Sequence, residues 1–201
     1  VILAVDDFEK LRRRGEHEVV VGSGRHVVCP GFVNGHHHVG LTPLQLGSPD
    51  LPLELWIVRR LAGRAVPPYL DTLYSAFELL ASGVTTVQHL HGRAPLPVTN
   101  IVHHANEVIR AYTDLGMRVS YSYGLRDQNR IVYEADDEFV RRLPPDLAGP
   151  TREFLAEQTL DIDATLSVFK TLFAQHHGKA NVAIQLAPVN LHWCSDEAIQ
   201  R

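Results

Sequence analysis

A chain of 201 residues, 45% hydrophobic and 21% charged, is long enough to bury a core and has the balance of a globular rather than a disordered protein. Its formal net charge of -4, with histidine counted neutral, offers no basic face for nucleic acid. No apolar run approaches the roughly 20 residues that cross a bilayer, and Cys29 and Cys194 lie far apart with no CxxC motif, which excludes a disulfide framework and a cysteine-rich zinc site.

In chain order, Val1–Val5, Glu18–Val21 and His26–Val28 read as short β segments, with the charged stretch Glu9–Arg14 between them as one or two helical turns. The first residue is apolar and strand-like, so the chain reads as one that starts inside a domain. From Gly31 onward the pattern changes to strands alternating with helices. Phe32–His38 is a predicted strand, followed by a long loop and a short helix over Pro52–Leu61. Pro67–Leu80 is a predicted helix: the two prolines suit its first turn, Leu70, Leu73, Phe77 and Leu80 form a stripe, and Gly83 ends it. Val84–Leu90 is β-branched and strand-like. A second helix over Asn100–Leu115 carries Ile101, Ala105, Val108, Ile109 and Tyr112 on one face and stops at Gly116. Met117–Tyr123 is the third strand, and Arg126–Pro150 reads as a long polar loop. Thr151–Gln175 is helical, Val182–Ala187 is the fourth strand, and Ser195 caps a helix starting at Asp196. Such repetition points to βαβ units and a parallel sheet. A complete eight-fold barrel takes about 250 residues, so four units make half of one. The fold class expected is α/β, a partial (β/α)8 TIM barrel of about the first four units over residues 31–201.

Histidine is the residue in excess, with 12 copies. The run Pro30-Gly31-Phe32-Val33-Asn34-Gly35-His36-His37-His38 closes the first of these strands. Side chains alternate faces along a strand, so His36 and His38 point one way and His37 the other. Two imidazoles side by side can take two positions on one divalent ion, and the C-terminal end of a barrel strand is where active sites sit. Asn34 or backbone carbonyls are candidates to orient the rings. No HExxH, P-loop, GxSxG or dinucleotide fingerprint occurs, nor the Pro-Cys-x-x-Cys of the cytidine-deaminase zinc fold.

The run ending in His-x-His, together with Ser82-Gly83-Val84-Thr85-Thr86-Val87 and Cys194-Ser195-Asp196-Glu197, resembles the amidohydrolase superfamily. The resemblance extends over nearly the whole chain. It is closest to the branch of cytosine, guanine and S-adenosylhomocysteine deaminases and triazine hydrolases. It implies that His36 and His38 are the first-strand ligands of one divalent metal, zinc first and iron as the alternative. It also implies that residues 1–30 are the edge of a small β-sandwich domain. The implied activity is hydrolytic deamination of a purine, pyrimidine or triazine by metal-activated water. Opening of a cyclic amide or dechlorination of a triazine is the alternative within the superfamily, and an inactive fragment with a structural or oligomer-forming role is the alternative outside it. The further metal ligands and proton carriers of the family are expected beyond Arg201, so this chain alone is expected to bind metal weakly. The implied partner is a small heterocyclic substrate, with no nucleic acid or membrane, in a cytoplasmic homo-oligomer.

Substrate candidates line the same barrel end. Gln45 and Trp56 resemble the mobile loop and helix over the substrate in the family, although a tryptophan on an amphipathic helix also packs. His91, just beyond the second strand, is expected to face the pocket while Leu90 faces away; a surface position is the other reading. Arg126 is placed either to form paired hydrogen bonds to a carboxylate, phosphate or ring carbonyl, or to pair with Asp127 in ordering its loop. The branch commonly has Pro-His-x-Pro-Tyr at the fourth strand; here Val189 takes the place of that histidine, and Asn190 or His192 is the candidate substitute. His17, His26, His103, His104, His176 and His177 are read as structural or surface residues.

Overall fold

A computed structural model describes residues 3–13, 19, 21–23, 25–38, 47, 49, 51–53, 55–56, 59, 66–92, 97–157 and 159–201. The chain divides into two compact units, Val1–Pro30 and Gly31–Arg201. In the first unit the one regular element among the described residues is helix α1, Phe8–Arg12, started by Asp7, whose carboxylate accepts from the Glu9 backbone N–H at 3.0 Å. The described residues of the expected β segments are not strands. Leu3, Val5, Val27 and Val28 are almost wholly exposed. A β segment is stable only when neighbours complete its ladder and cover one face, and none does so among the described residues of this unit.

The second unit runs β1 (Phe32–His37), α2 (Pro68–Ala81), β2 (Val84–His91), α3 (Val98–Asp114), β3 (Arg118–Leu125), α4 (Asp136–Arg141), α5 (Pro145–Glu157), α6 (Ile162–His176), β4 (Val182–Pro188) and α7 (Asp196–Gln200). The four strands form one parallel sheet in the order β1-β2-β3-β4. Gly83, Gly116 and Gly178 follow α2, α3 and α6 with φ of +85°, +70° and +75°, the left-handed turn that ends a helix and that glycine adopts without strain. Each strand expected from Gly31 onward, and each of the helices α2, α3 and α7, is present to within a few residues.

Among the described residues the core lies on one face of the sheet. Val87, Val119, Tyr121, Val182 and Ile184 point from the strands into Ala76 and Leu79 of α2, Ile101, Ala105, Val108, Ile109 and Tyr112 of α3, and Val168 and Leu172 of α6. Each such valine, leucine or isoleucine contributes about 1.5–3 kcal/mol on burial, so the helix-side layer sets the sheet in place. The opposite face carries small and polar side chains, among them Gln88, whose Nε2 donates to Ser122 Oγ at 2.7 Å.

Two further elements stand where a loop over Arg126–Pro150 is expected. Asp136, Asp137 and Glu138 fill the first turn of α4, where the helix dipole favours negative charge. Pro145 opens α5, and Pro150 lies inside it, at a point where proline usually marks a boundary. Both helices are tied to the loop by half-buried Arg130. Its Nε donates to Asp136 Oδ2 at 2.8 Å and its Nη1 to the Leu155 carbonyl at 2.9 Å.

The turn between α6 and β4 folds back on the strand it feeds. Gly178 N–H donates to the Val182 carbonyl at 2.9 Å, Val182 N–H to the Lys179 carbonyl at 2.8 Å, and Ile184 N–H to His177 Nδ1 at 3.1 Å. At the other end of the sheet the strands approach closely. A Cβ added to Gly124 would lie 2.8 Å from Val189 Cγ2 and 3.2 Å from the His91 carbonyl. Gly124→Ala is therefore expected to destabilise the fold by about 1–3 kcal/mol, the usual cost of overpacking. Urea denaturation checks this, and an unchanged midpoint would show that Val189 yields without cost.

Candidate metal centre

The register of β1 against β2 slips between Asn34 and His37, so that His37 is paired with His89. His89 is in turn paired with the core residue Tyr121. That alignment puts His37 on the helix side and leaves His36 and His38 together on the open face. Their rings meet edge to face with centroids 4.7 Å apart, and the two Nε2 atoms are 3.0 Å from each other. His38 Nδ1 lies 2.7 Å from the Leu90 carbonyl. A carbonyl only accepts, so His38 carries its proton on Nδ1 and presents a bare Nε2 lone pair. Asn34 Oδ1 accepts the His36 backbone N–H at 3.1 Å, fixing the strand end rather than the ring.

The pair suits a divalent ion. Two imidazole nitrogens at about 2.0–2.1 Å from one tetrahedral ion stand roughly 3.3 Å apart, close to the separation observed. Among the described residues no set of three or more His, Cys, Asp or Glu side chains is assembled to hold a metal. On the open face, His36 and His38 bring two imidazole nitrogens together.

Behind this pair, on the helix side, lies a buried histidine array. His89 is fully buried, with Nδ1 3.1 Å from the Tyr112 hydroxyl and Nε2 3.1 Å from His91 Nδ1. The His91 ring is 5.0 Å from that of His104 on α3. Burial holds His89 well below the ordinary histidine range, and the neighbouring His91, His37, His38 and His104 push the same way. Burial also lowers His37, which has no hydrogen-bond partner at its buried Nε2, and His104. In either proton arrangement His89 is neutral, one ring nitrogen donating and the other accepting.

His91 is therefore not where the sequence reading puts it. It packs toward α3, and Leu90, through its carbonyl, is the residue that meets the His36–His38 pair. The parity was visible: Val87, His89 and His91 share a face, and Val87 belongs to the core. Arg126 stacks its guanidinium over Trp193 at 4.2 Å and donates to the Asn129 carbonyl. Asp127 does not pair with it. Asp127 accepts from Ser195 N at 2.9 Å and from Ser195 Oγ at 2.6 Å. Asn190 Oδ1 accepts the His192 N–H at 2.9 Å in a turn, and the His192 ring stands edge-on to Tyr133. Arg126, Asn190 and His192 thus belong to one loop cluster at the ends of β3 and β4, separate in sequence from the histidine pair. Half-buried Trp56 lies in a helical turn, its N–H donating to the Pro52 carbonyl at 2.9 Å, and makes no described contact with the pair. Gln45 lies outside the described residues. Tyr133, Trp193 and the Leu90 carbonyl make contacts with these residues that the sequence does not single out.

No protein-family profile matches the chain. A 5-methylthioadenosine/S-adenosylhomocysteine deaminase of Pyrococcus furiosus is 29% identical over 131 residues, covering 61% of this chain and 28% of the relative. A 5'-deoxyadenosine deaminase of Methanothermobacter thermautotrophicus is 23% identical over 205 residues, covering 98% of this chain and 38% of the relative. In fold, the chain is similar to a triazine hydrolase of an Arthrobacter (TM-score 0.59, 20% identity, 84% of this chain and 36% of that one). It is also similar to the guanine deaminase of E. coli (TM-score 0.51, 16% identity, 85% and 32%). The sequence relatives are named as deaminases, and the solved structures share the fold of this chain. The four parallel β/α units are part of a barrel of that kind. The chain spans well under half the length of these relatives.

Since His89 is neutral when folded and has an ordinary value of 6.5, unfolding near pH 6 takes up a proton. Stability is fully present above about pH 6.5 and falls below it, by up to about 1.4 kcal/mol per pH unit for each histidine so held. Urea midpoints between pH 7.5 and 5 should show this fall and a shallower slope for His89→Gln. Equal slopes would mean that His89 is protonated in the folded chain.

Proposed function

We propose that the whole protein is a metal-dependent aminohydrolase that replaces an amino group on an N-heterocycle with water. The observation that carries this reading is the convergence of His36 Nε2 and His38 Nε2 at 3.0 Å, with His38 held in its ligand tautomer by Leu90. The deaminase names of the sequence relatives support the bond class. His36 and His38 would hold one divalent ion, zinc first and iron as the alternative, since imidazole suits both. When bound, such an ion supplies the Lewis acidity that makes water a nucleophile near neutral pH.

The chain's own residues do the rest of what this half of the site requires. The Leu90 carbonyl keeps the proton of His38 on Nδ1, so that Nε2 stays available as a donor. Asn34 fixes the backbone from which His36 projects. The neutral array behind the pair adds no positive charge next to the incoming ion, which a protonated His89 would do. The further metal ligands and proton carriers implied by the family resemblance belong to later strands in this reading. Residues 1–30 are read as the edge of a β-sandwich, and the protein as a cytoplasmic homo-oligomer acting on a small heterocycle. The exposed row Leu70, Tyr74 and Phe77 along α2 supports further protein packing there.

The test is metal content and ammonia release by the whole protein across a purine, pyrimidine and triazine panel. Wild type is expected to hold about one metal per chain and to release ammonia from at least one member. His36→Ala and His38→Ala are each expected to lower metal affinity by more than about a hundredfold, beyond what loss of an outer partner costs. Full metal retention in both variants would remove the histidine pair, and with it the assignment.

A further inference from the structure

His38 is turned by a carbonyl that belongs to β2, so whatever fixes the Leu90 peptide also fixes the ring. Leu90 stands between His89 and His91, whose side chains both leave the strand on the helix side. The peptide unit is planar, so the Leu90 carbonyl swings only through the backbone torsions of Leu90 and His91. Such a swing drags the His91 side chain with it. Both histidine rings are clamped against β3. His89 lies 24° from parallel to Tyr121 with centroids 5.3 Å apart, and His91 lies 28° from the same ring at 5.8 Å. His91 also stacks on Tyr123 at 6.4 Å. The two imidazoles are bonded to each other, with His89 Nε2 3.1 Å from His91 Nδ1.

What stops the two rings from turning together is the Tyr112 hydroxyl, 3.1 Å from His89 Nδ1. Tyr112 is in the last turn of α3, fully buried, and meets His89 edge to face at 5.8 Å and 77°. Burial, with the charge of Asp71 adding to it, raises the Tyr112 phenol, so the hydroxyl keeps its proton. The surroundings are apolar: Val87, Ala105, Val108 and Ile109 belong to the same layer. Without the hydroxyl, His89 Nδ1 would have no partner there, and a buried polar atom left unsatisfied carries its full desolvation penalty. The ring then has to turn to find a partner, and turning it takes His91 and the Leu90 peptide along. Tyr121 supplies the contrast. Its ring lies against the same two histidines and is as deeply buried, but its hydroxyl has no hydrogen-bond partner among the described residues.

We propose that the Tyr112 hydroxyl is a positioning group for the ligand atom of His38, acting through His89 and the Leu90 carbonyl. This rests on the metal-dependent reading of the histidine pair and adds to it a residue of α3, outside the sheet. A phenol carried by a helix thereby decides which nitrogen of a strand-end imidazole keeps its lone pair.

The test is made on the whole protein with 15N-labelled histidine, first free of metal and then titrated with Co2+. In the metal-free protein, 1H–15N correlation spectra report which ring nitrogen of His38 carries the proton, and the resonance is assigned by its loss in His38→Ala. Wild type is expected to carry it on Nδ1. Tyr112→Phe removes one oxygen and keeps the ring, and far-UV circular dichroism checks that it is folded. This variant is expected to show both His38 tautomers and to bind Co2+ about tenfold more weakly, the lower end of what loss of an outer partner costs. Tyr121→Phe removes a hydroxyl from the same layer and is expected to change neither. A proton on Nε2 of His38 in wild type would overturn the proposal without any variant. So would a Tyr112→Phe protein with a lowered urea midpoint but an unchanged His38 tautomer, since that is what a merely structural hydroxyl gives. Equal effects of Tyr112→Phe and Tyr121→Phe would overturn it too, because the cause would then be the layer and not the bond. A wild type that binds no Co2+ while its His38 tautomer still depends on Tyr112 would sink the aminohydrolase reading and leave the coupling of Tyr112 to His38 standing.

Discussion

The hydrogen bond from His38 to the Leu90 carbonyl joins two strands through a side chain at the place where two imidazole nitrogens converge. In a parallel sheet the backbone ladders fix spacing and register, but they say nothing about how a ring at the strand end is turned. Here one carbonyl settles both the rotation of an imidazole and the nitrogen that bears its proton. For that carbonyl to be in reach, β2 must be held against β1 in the register that pairs His37 with His89. That register is in turn held by the helix-side layer, where His89 packs between Tyr112 and Tyr121. The placement of the histidine pair therefore depends on the core behind it.

The same arrangement shows why histidine is abundant without being catalytic throughout. His36 and His38 keep their donor atoms on the open face, whereas His37, His89, His91 and His104 are on or against the helix layer, where burial keeps His37, His89 and His104 in the uncharged form. A neutral imidazole can join two polar neighbours inside an apolar layer without bringing a charge there. A carboxylate or ammonium group in the place of His89 would need an opposite charge beside it.

Much of this was legible in the sequence. The glycines after α2 and α3, the apolar stripe of α3 and the His-x-His at the end of β1 each obey a local rule, and each gave the right element or face. The faces of β2 were misjudged because His91 was considered by its nearness to the strand end rather than by its parity with Val87. The helices α4 and α5 were missed because Arg126–Pro150 reads as a polar loop. Their stability comes from Arg130 reaching from the loop to Asp136 and Leu155, a contact across residues far apart in the chain. The aromatic cluster of Tyr133, His192 and Trp193 joins two loops about 60 positions apart, and no local pattern marks such a meeting.

The way α6 turns into β4 bears on how the sheet can grow. A bare edge strand offers a row of donors and acceptors to any extended segment that drifts by, including one from another copy of the same chain. On β4 that row begins already used, with Val182 bonded to Lys179 and Gly178 and the Ile184 N–H bonded to the His177 ring. An arriving strand finds only the stretch around Leu186, too short to anchor a segment in arbitrary alignment. Casual recruitment into stacked ribbons is thereby discouraged, and a legitimate neighbour has to enter beside the upper half of the strand. The turn that delivers the strand also sets the terms on which it accepts company.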